Sequence, residues 1–365
     1  MTPLKGKRLM KTATIGLVAG ALLLAGCAKK ETLHMYTWAD YISPDVVSAF
    51  EEKYNCKVVI DTFDTNEAMY AKLKAGSAGY DIMFPSSYMV KLMAKGGLIV
   101  KLDHTKCPSL RKNFYKPYAK MLPEDPDLEW AAPYSSSPTI LFYDPAKIPA
   151  GTDMETWAVL ANPAFKGKVS FLDDMREVVG AGLMANGFSI NSTNPAELDK
   201  AVETVLLWKA NVRKFDSESY KTEVPSGSTW IGQGFGQVAR QVILGEAEDG
   251  SDARPDLAYA YPREGFTESC EEMVISSKAQ NPDLAYKLIE FLYSDLEAGV
   301  ANMQYVLGML PCAPAIAALD EKFRDAVVAK PEIMAKGQVI VGLEEIPGAM
   351  DLYAKAWDRI KATDK

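Results

Sequence analysis

Short apolar runs with two different periods alternate along the first third of the chain. Thr32 to Trp38 alternates between apolar and polar residues, which predicts a strand. Ser43-Pro44 then begins a predicted helix, because a serine at the N-cap and a proline at the first position are typical of helix starts. The same order follows twice more, with strands and helices predicted at 56–63, 66–73, 80–84 and after Ser86. This order predicts an α/β domain with a mainly parallel sheet.

The rest of the chain continues in the same style, without an internal repeat. Further strands are predicted at 138–143, 169–172, 257–261 and 273–276. Further helices are predicted at 177–185, 196–209, 236–244, after Asn281-Pro282, and at 346–362. With 365 residues, the chain is long enough for two domains of ordinary size.

The first 26 residues have the pattern of a secretory signal peptide. Four basic residues precede an apolar run that is too short to span a membrane, and small residues follow it. Leu24-Ala25-Gly26-Cys27 resembles a bacterial lipobox, which predicts cleavage before Cys27 and acylation of its thiol. A plain signal peptide with an incidental cysteine is the alternative. The lipoprotein interpretation makes 27–31 a lipidated tether on a periplasm-facing or cell-surface membrane.

Charge and residue usage exclude several classes of protein. The chain has 40 basic and 48 acidic residues, and loss of the leader's four basic residues leaves 36 against 48, a net charge of −12. An acidic chain argues against a nucleic-acid partner. The two histidines, His34 and His104, are too few for a histidine zinc site, and no C-x-x-C pair occurs. We expect no metal and no cofactor. The pairing of the four remaining cysteines stays open: Cys56, Cys107, Cys270 and Cys312.

Acidic and aromatic residues follow several predicted strands. Trp38, Asp40, Ser86 and Asp174 all come just after a strand, where α/β sheets bind their ligands. Asp174 and Glu177 are three positions apart, so both lie on one face of a helix's first turn and could accept bonds from an ammonium group. The alternative is a capping box, in which both carboxylates bind free backbone N–H groups.

Other residues near strand ends allow two interpretations each. Trp38 and Tyr41 flank Asp40 and could face an ammonium through cation–π contacts, or could be core aromatics beside a turn residue. Ser86 could cap a helix while Tyr88 packs on it, or both could contact a ligand. The glycine-rich segment 232–236 does not fit G-x-G-x-x-G, and no clear strand precedes it, so we interpret it as a tight helix entry.

Four longer segments together resemble a known family. They are Tyr36-Thr-Trp-Ala-Asp-Tyr-Ile42, Asn66-Glu-Ala-Met-Tyr-Ala-Lys-Leu73, Tyr80-Asp-Ile-Met-Phe-Pro-Ser-Ser-Tyr88 and Phe165-Lys-Gly-Lys-Val-Ser-Phe-Leu-Asp-Asp-Met-Arg-Glu-Val178. With them, the mature chain resembles the spermidine/putrescine-binding proteins of bacterial ABC uptake systems over nearly its whole length. The resemblance implies a two-lobed periplasmic binding protein of type II, each lobe a mainly parallel sheet flanked by helices, with the ligand between the lobes. The first lobe would comprise 32–137 and 270–317, and the second 138–269 and 318–365.

The resemblance also implies a ligand site, carried over only where residues match. The matching positions are Trp38, Asp40, Tyr41, Ser86, Tyr88, Asp174 and Glu177. Trp230 lies close to the position of a family tryptophan and is expected to form a wall of the cleft. Glu271 stands for the acid of an aromatic-x-Asp segment that reads Ser269-Cys270-Glu271 here, without the ring. A family tyrosine and a family glutamine fall at Leu310 and near Leu343.

The leading hypothesis is a monomeric, lipid-anchored solute-binding protein without catalytic residues. It would bind putrescine or spermidine and deliver it to an ABC permease and its ATPase. Three alternatives stay open: a different amine or a zwitterion as ligand, a sensor or interaction module on the same fold, and an enzyme with Asp174 and Glu177 as its acid–base pair. The last needs two carboxyl groups with divergent pKa values, and the chain has no nucleophile motif.

Overall fold

The structure of the protein is a computed structural model that describes residues 30–76, 79–245, 253–343 and 346–362. The predicted signal peptide at 1–26, Cys27 and most of the tether at 27–31 lie outside the described residues. Within the described ranges, no helix has the length and apolar character that a membrane span requires.

Helices and strands alternate through most of the chain. The strands are β1 Thr32–Thr37, β2 Lys57–Thr62, β3 Ile82–Met83, β4 Ala132–Tyr143, β5 Val169–Phe171, β6 Val212–Phe215, β7 Ile231–Phe235, β8 Ala258–Ala260, β9 Phe266–Ile275 and β10 Gly337–Gln338. The helices of the first half are α1 Pro44–Tyr54, α2 Asn66–Lys74, α3 Ser87–Lys95, α4 Pro108–Asn113, α5 Met175–Ala185 and α6 Pro195–Lys209. Those of the second half are α7 Tyr220–Glu223, α8 Gly236–Leu244, α9 Pro282–Ser294, α10 Leu296–Val306, α11 Ala313–Ala318, α12 Glu321–Val327, α13 Pro331–Met334 and α14 Ala349–Ala362.

The strands form one path in the order β2-β1-β3-β9-β4-β7-β5-β6, with β10 beside β9 and β8 beside β4. β1 is parallel to β2 and β3, and β5 is parallel to β6 and β7. Each lobe therefore has three parallel strands, while β4 and β9 run antiparallel to each other, β4 to β7 and β9 to β3, and the short β10 is parallel to β9. This arrangement confirms the predicted α/β class and two-lobed architecture.

Two long strands connect the lobes. Residues 132–138 of β4 pair with β9, and residues 139–143 pair with β7 in the second lobe. β9 continues to β3 in the first lobe through residues 274 and 275. The predictions at 138–143 and 273–276 found only the apolar ends of these strands. Their middles carry serines and glutamates, so the apolar pattern stops where β4 and β9 cross between the lobes.

The apolar core is divided between the lobes. The first core contains Leu33, Phe50 and Leu292, and the second contains Trp157, Val205 and Tyr353. The predicted lobe boundary after residue 317 does not coincide with this packing. Leu319, Val327 and Met334 pack in the first core, whereas Leu343 and Ala349 pack in the second.

The glycine-rich segment at 232–236 is itself a strand, β7, followed by α8. The interpretation of the whole segment as a helix entry was therefore incomplete, because most of it belongs to β7 and only Gly236 enters the helix. A Cβ atom at Gly234 would approach the ring of Tyr220 to 2.4 Å, and one at Gly236 would lie 3.0 Å from Pro138. Gly234 admits the close packing of Tyr220 on one face of the strand, and Gly236, which packs closely on Pro138, begins the helix.

Candidate functional site

The carboxyl ends of the parallel strands in both lobes face the crossover strands β4 and β9. β1 and β3 end before Trp38 and Ser86, and β5 ends before Asp174. Burial is the main cause that raises the pKa of Tyr88 and of Asp174, and charges of the opposite lobe add to it: Asp174 for Tyr88, and Glu67 for Asp174. The structure therefore brings acidic residues of the two lobes together across this edge, which we call the cleft.

Glu271 of β9 is the best-held carboxyl group of the cleft. The hydroxyl of Tyr41 donates to Oε2 at 2.6 Å, and the hydroxyl of Ser86 donates to Oε1 at 3.3 Å. Burial raises the pKa of Glu271 to about 7, although both hydrogen bonds lower it. This side chain remains partly accessible. It is thus an oriented carboxyl group that a nearby cation would readily ionise.

Asn66, the first residue of α2, fixes the position of Ser86. Its Oδ1 accepts from the backbone N–H of Ser86 at 3.0 Å, and its Nδ2 donates to the Ser86 hydroxyl at 2.9 Å. Nδ2 also donates to the Tyr88 hydroxyl at 3.1 Å, which donates to Glu67 at 3.0 Å. Asn66 is a site residue that the sequence analysis missed. Its position just after β2 matches that of Trp38 after β1, so the strand-end rule could have found it.

Trp38 and Asp40 occupy the turn that follows β1. The indole N–H of Trp38 donates to the carbonyl of Phe84 at 3.0 Å, and its ring lies 4.5 Å from that of Phe63. Asp40 is exposed and has a φ of 51°, a left-handed conformation in which Asp is better tolerated than most residues. Trp38 is therefore a half-buried wall with a fixed orientation, and Asp40 is an exposed acid beside it.

Asp174 is the N-cap of α5. Its Oδ1 accepts from the backbone N–H groups of Arg176 and Glu177 at 2.8 and 3.0 Å. Burial raises the pKa of this carboxyl group, and the two backbone hydrogen bonds lower it. The capping interpretation is correct for Asp174, and contact of the same carboxyl group with a ligand stays a prediction.

Glu177 is buried beneath Asp174 in the first turn of α5. Burial first, and then the charge of Asp174, raise its pKa to about 8, while the hydroxyls of Thr267 and Thr139 lower it. Its Oε2 has no hydrogen-bond partner among the described residues. Gln233 of β7 donates to the backbone carbonyl of Glu177 at 3.2 Å.

Trp230 is not brought together with the other predicted site residues. It precedes β7, and its backbone N–H donates to the carbonyl of Lys168, just before β5. Its ring lies edge-on to Phe165, with the Lys168 ammonium 5.4 Å from the ring centre. Since β5 and β7 are parallel, Trp230 lies at the opposite end of these strands from Asp174.

Ser269 and Leu310 lie where the chain departs from the family pattern, and both make structural contacts. The Ser269 hydroxyl donates to the carbonyl of Ser137 at 2.9 Å, and Leu310 is buried in the first core. Glu268, missed by the sequence analysis, accepts a hydrogen bond from Ser136. Burial raises the pKa of Glu268 to about 7, against the charge of Arg240. The sequence signal that could have identified Glu268 is an acidic residue close to the apolar end of a strand.

Other kinds of site find no support in the described part of the chain. No group of three or more His, Cys, Asp or Glu side chains there is placed to hold a metal ion. The thiols of Cys56, Cys107, Cys270 and Cys312 are buried and free. Two surface pockets of about 460 and 380 Å³ lie away from the cleft, one beside Arg111 and Phe114 and the other between α6 and α14. We place the site at the cleft because charged groups of both lobes converge there.

Comparisons with known proteins agree with this fold. Residues 45–335 match the bacterial extracellular solute-binding protein family. The chain is 31% identical to the putrescine/cadaverine-binding protein of Pseudomonas aeruginosa over 309 residues, which are 83% of this chain and 84% of that protein. The spermidine/putrescine ABC transporter substrate-binding protein PotD of Streptococcus pneumoniae superposes with a TM-score of 0.79 at 27% identity, covering 91% of this chain and all of that one. The TpPotD lipoprotein of Treponema pallidum gives a TM-score of 0.79 at 25% identity, covering 90% and 99%.

The protein is a two-lobed solute-binding protein with a ligand cleft between its lobes. The chain belongs to the family of bacterial extracellular solute-binding proteins. This membership confirms the prediction of a binding protein of a transport system rather than an enzyme.

Proposed function

We propose that this protein binds a small polyamine, putrescine or spermidine, between its lobes and delivers it to an ABC permease and its ATPase. The observation that carries the proposal is the placement of carboxyl groups on both sides of the cleft. Glu271 is held by Tyr41 and Ser86 on one side, and Asp174 and Glu177 lie on the other. The relatives named above as putrescine- and spermidine-binding proteins support this ligand class.

Each end of a polyamine has a chemical counterpart in this arrangement. Ionised carboxyl groups compensate the cost of removing an ammonium group from water, which would be large for an unpaired charge. The ring of Trp38 can cover the methylene stem and face a positive charge. In this proposal the ligand-binding residues are Trp38, Asp40, Tyr41, Ser86, Tyr88, Asp174, Glu177 and Glu271, with Asn66 as a positioning residue. Trp230 is left out of the set because its ring packs on Phe165.

Ligand capture would proceed by closure of the lobes around the crossover strands, a hinge motion. We propose that the first lobe takes 32–137 and 270–334, since the core packing of Leu319, Val327 and Met334 favours a later crossover than 317. The second lobe then takes 138–269 and the segment from Leu343 onward. No bond is made or broken in the ligand.

The protein would act as a monomer held on the membrane only by an acylated Cys27. The lipobox-like sequence before Cys27 supports this anchor, and so does the similarity to a lipoprotein of Treponema pallidum. The test is metabolic labelling with a fatty-acid analogue in a bacterial host, compared between the natural chain and Cys27→Ser. Equal labelling of both chains would contradict the anchor.

Titration calorimetry tests the ligand class. A soluble form that begins at Ala28 should bind putrescine or spermidine with micromolar or better affinity. Acetylated putrescine, which lacks one charge, should bind far more weakly, because one carboxyl group would lose its partner. The absence of both heat and a thermal shift with both polyamines would refute the proposal. A zwitterion that outcompetes putrescine would change the proposed ligand from a polyamine to a zwitterionic solute.

A further inference from the structure

Three buried oxygen atoms near Asp174 lack hydrogen-bond partners among the described residues. They are Oε2 of Glu177, Oε1 of Gln233 and Oγ1 of Thr267. The side chains of these residues are 4%, 2% and 2% exposed. Most buried polar groups in native proteins have a partner, so three such atoms in one place require an explanation.

The three residues come from three elements that meet at the first turn of α5. Gln233 of β7 reaches Glu177 directly, because its Nε2 donates to the Glu177 carbonyl at 3.2 Å. Burial raises the pKa of Glu177, and the hydroxyls of Thr267 of β9 and Thr139 of β4 oppose this rise, which associates both residues with its carboxyl group. Asp174 is next to this group of residues, and its charge, after burial, raises the pKa of Glu177. The unpartnered atoms therefore belong to one cluster at the second-lobe side of the cleft.

All three unpartnered atoms can accept a hydrogen bond. An ionised carboxylate oxygen and an amide oxygen only accept, and a threonine hydroxyl has acceptor lone pairs beside its one donor. A primary ammonium group has three N–H donors and no acceptor, so it complements such a cluster fully. A quaternary ammonium group has the same charge but no donor. The cluster should therefore distinguish two cations of equal charge.

We propose that Gln233 and Thr267, together with Glu177, select the primary ammonium end of the ligand by accepting its three hydrogen bonds. The inference deepens the proposed function and rests on it. Gln233 and Thr267 are the specificity-determining residues in this assignment, since neither contributes charge. At the other end of the cleft, each carboxyl oxygen of Glu271 already accepts a hydrogen bond, one from Tyr41 and one from Ser86.

The test uses two variants and two ligands with the soluble chain that begins at Ala28. Gln233→Leu and Thr267→Val each remove one acceptor at nearly constant volume. The ligands are putrescine and its analogue with a trimethylammonium group at both ends. We expect the natural protein to bind putrescine at least a hundredfold more tightly than the analogue. Each variant should lose roughly tenfold or more for putrescine and little for the analogue, because a hydrogen bond to a charged group contributes about one to two decades in affinity.

Matched controls separate selection from general damage. Thr229→Val removes another buried, unpartnered hydroxyl of the second lobe, before β7, and should leave both affinities unchanged. Thr267→Ser keeps the hydroxyl and should bind putrescine like the natural protein. Thermal unfolding of each ligand-free variant establishes that it is folded. A crystal structure with putrescine should show an ammonium nitrogen within hydrogen-bond distance of Glu177 and Gln233.

Three results would overturn the inference while the proposed function stands. One is putrescine binding by Gln233→Leu and Thr267→Val that matches the natural protein. Another is natural-protein affinity for the bis-trimethylated analogue that equals its affinity for putrescine. If the variants lose both ligands equally, the residues support the fold and do not select the head group, which also overturns it. Failure of the natural protein to bind putrescine at all would instead refute the proposed function.

Discussion

Both ends of the cleft offer a carboxyl group to a positively charged ligand, but the hydrogen bonds around the two carboxyl groups differ. At the first-lobe end, Glu271 receives hydrogen bonds from Tyr41 and Ser86, and Asn66 fixes Ser86. At the second-lobe end, Glu177 is buried with an unpartnered oxygen. The first end is already organised around its carboxyl group, whereas the second offers acceptors that no described side chain satisfies.

Because their carboxyl groups are held differently, the two ends should contribute differently to affinity and to selectivity. An oriented carboxyl group loses little freedom on binding, so the Glu271 end should contribute mainly affinity. A cluster of unpartnered acceptors is costly until a donor arrives, so the Glu177 end should discriminate between head groups. The predictions below test this division of roles between the two ends.

The largest effect is expected at the organised end. Glu271→Gln removes the negative charge while an acceptor oxygen stays available to the Tyr41 hydroxyl. Loss of one partner from a buried charge pair typically costs about 3–5 kcal/mol, so putrescine should bind roughly a hundredfold more weakly or worse. Calorimetry measures this change. Glu129→Gln, which alters an exposed ion pair with Lys101, is the control and should have no effect. A loss below threefold would contradict the assigned role of Glu271.

Asp174 should show a smaller effect that separates charge from capping. Asp174→Asn keeps a side chain that can cap α5 but removes the charge, so affinity should fall by roughly ten- to a hundredfold with little change in stability. Asp174→Ala should lose the same affinity and also about 1 kcal/mol of stability. Calorimetry and denaturant unfolding measure the two quantities. If Asp174→Asn binds putrescine normally, Asp174 is only a helix cap.

The affinity for putrescine should rise with pH. The pKa of Glu271 is raised to about 7 and that of Glu177 to about 8 in the ligand-free protein, so both are largely protonated at pH 6. A diammonium ligand requires ionised partners, so binding should release protons and weaken by about a hundredfold or more from pH 8 to pH 6, since each group alone contributes about tenfold or more. Calorimetry in buffers of different ionisation enthalpy counts the released protons. Binding that is independent of pH over this range would contradict the raised pKa values.

The stability of the ligand-free protein should change with pH in the opposite direction. Because the folded-state pKa values of Glu177, Glu268 and Glu271 lie above those of the unfolded chain, their contribution to stability is complete below about pH 4.5. It is lost as the pH rises through 7 to 8. Thermal unfolding should therefore show a falling melting temperature between pH 6 and pH 8.5 without ligand, and a smaller fall with saturating putrescine. Equal falls in both series would argue against ligand contact with these acids.

The smallest effect is expected at Trp230. Its ring contacts Phe165 at the end of β7 farther from Asp174, so Trp230→Phe should leave putrescine affinity within twofold of the natural value. A modest loss of stability, on the order of 1 kcal/mol, would reflect poorer packing. A tenfold loss of affinity would restore Trp230 as a wall of the cleft and extend the site toward that end.

Local sequence patterns were enough for the α/β class and for most elements. The alternating run before Trp38 and the Ser43-Pro44 helix start are local signals, and both elements formed where expected. The residues that follow strand ends, such as Ser86 and Asp174, were also found in this way. The strand at 231–235 was missed because glycines have no side chain to mark an apolar period. Its packing against Tyr220 becomes visible only in three dimensions.

Periodicity and strand ends depend on near neighbours in the chain, so the order of elements and the acidic and aromatic residues that follow the strands could be predicted without a structure. Which carboxyl groups receive hydrogen bonds depends on the tertiary fold. Tyr41 and Glu271 are 230 residues apart, and they meet because β9 lies between β3 and β4 and crosses from one lobe to the other. Gln233 and Thr267 likewise join Glu177 through the packing of β7 and β9 against α5. Burial and hydrogen bonding of a charge depend on such long-range contacts, which no local pattern records.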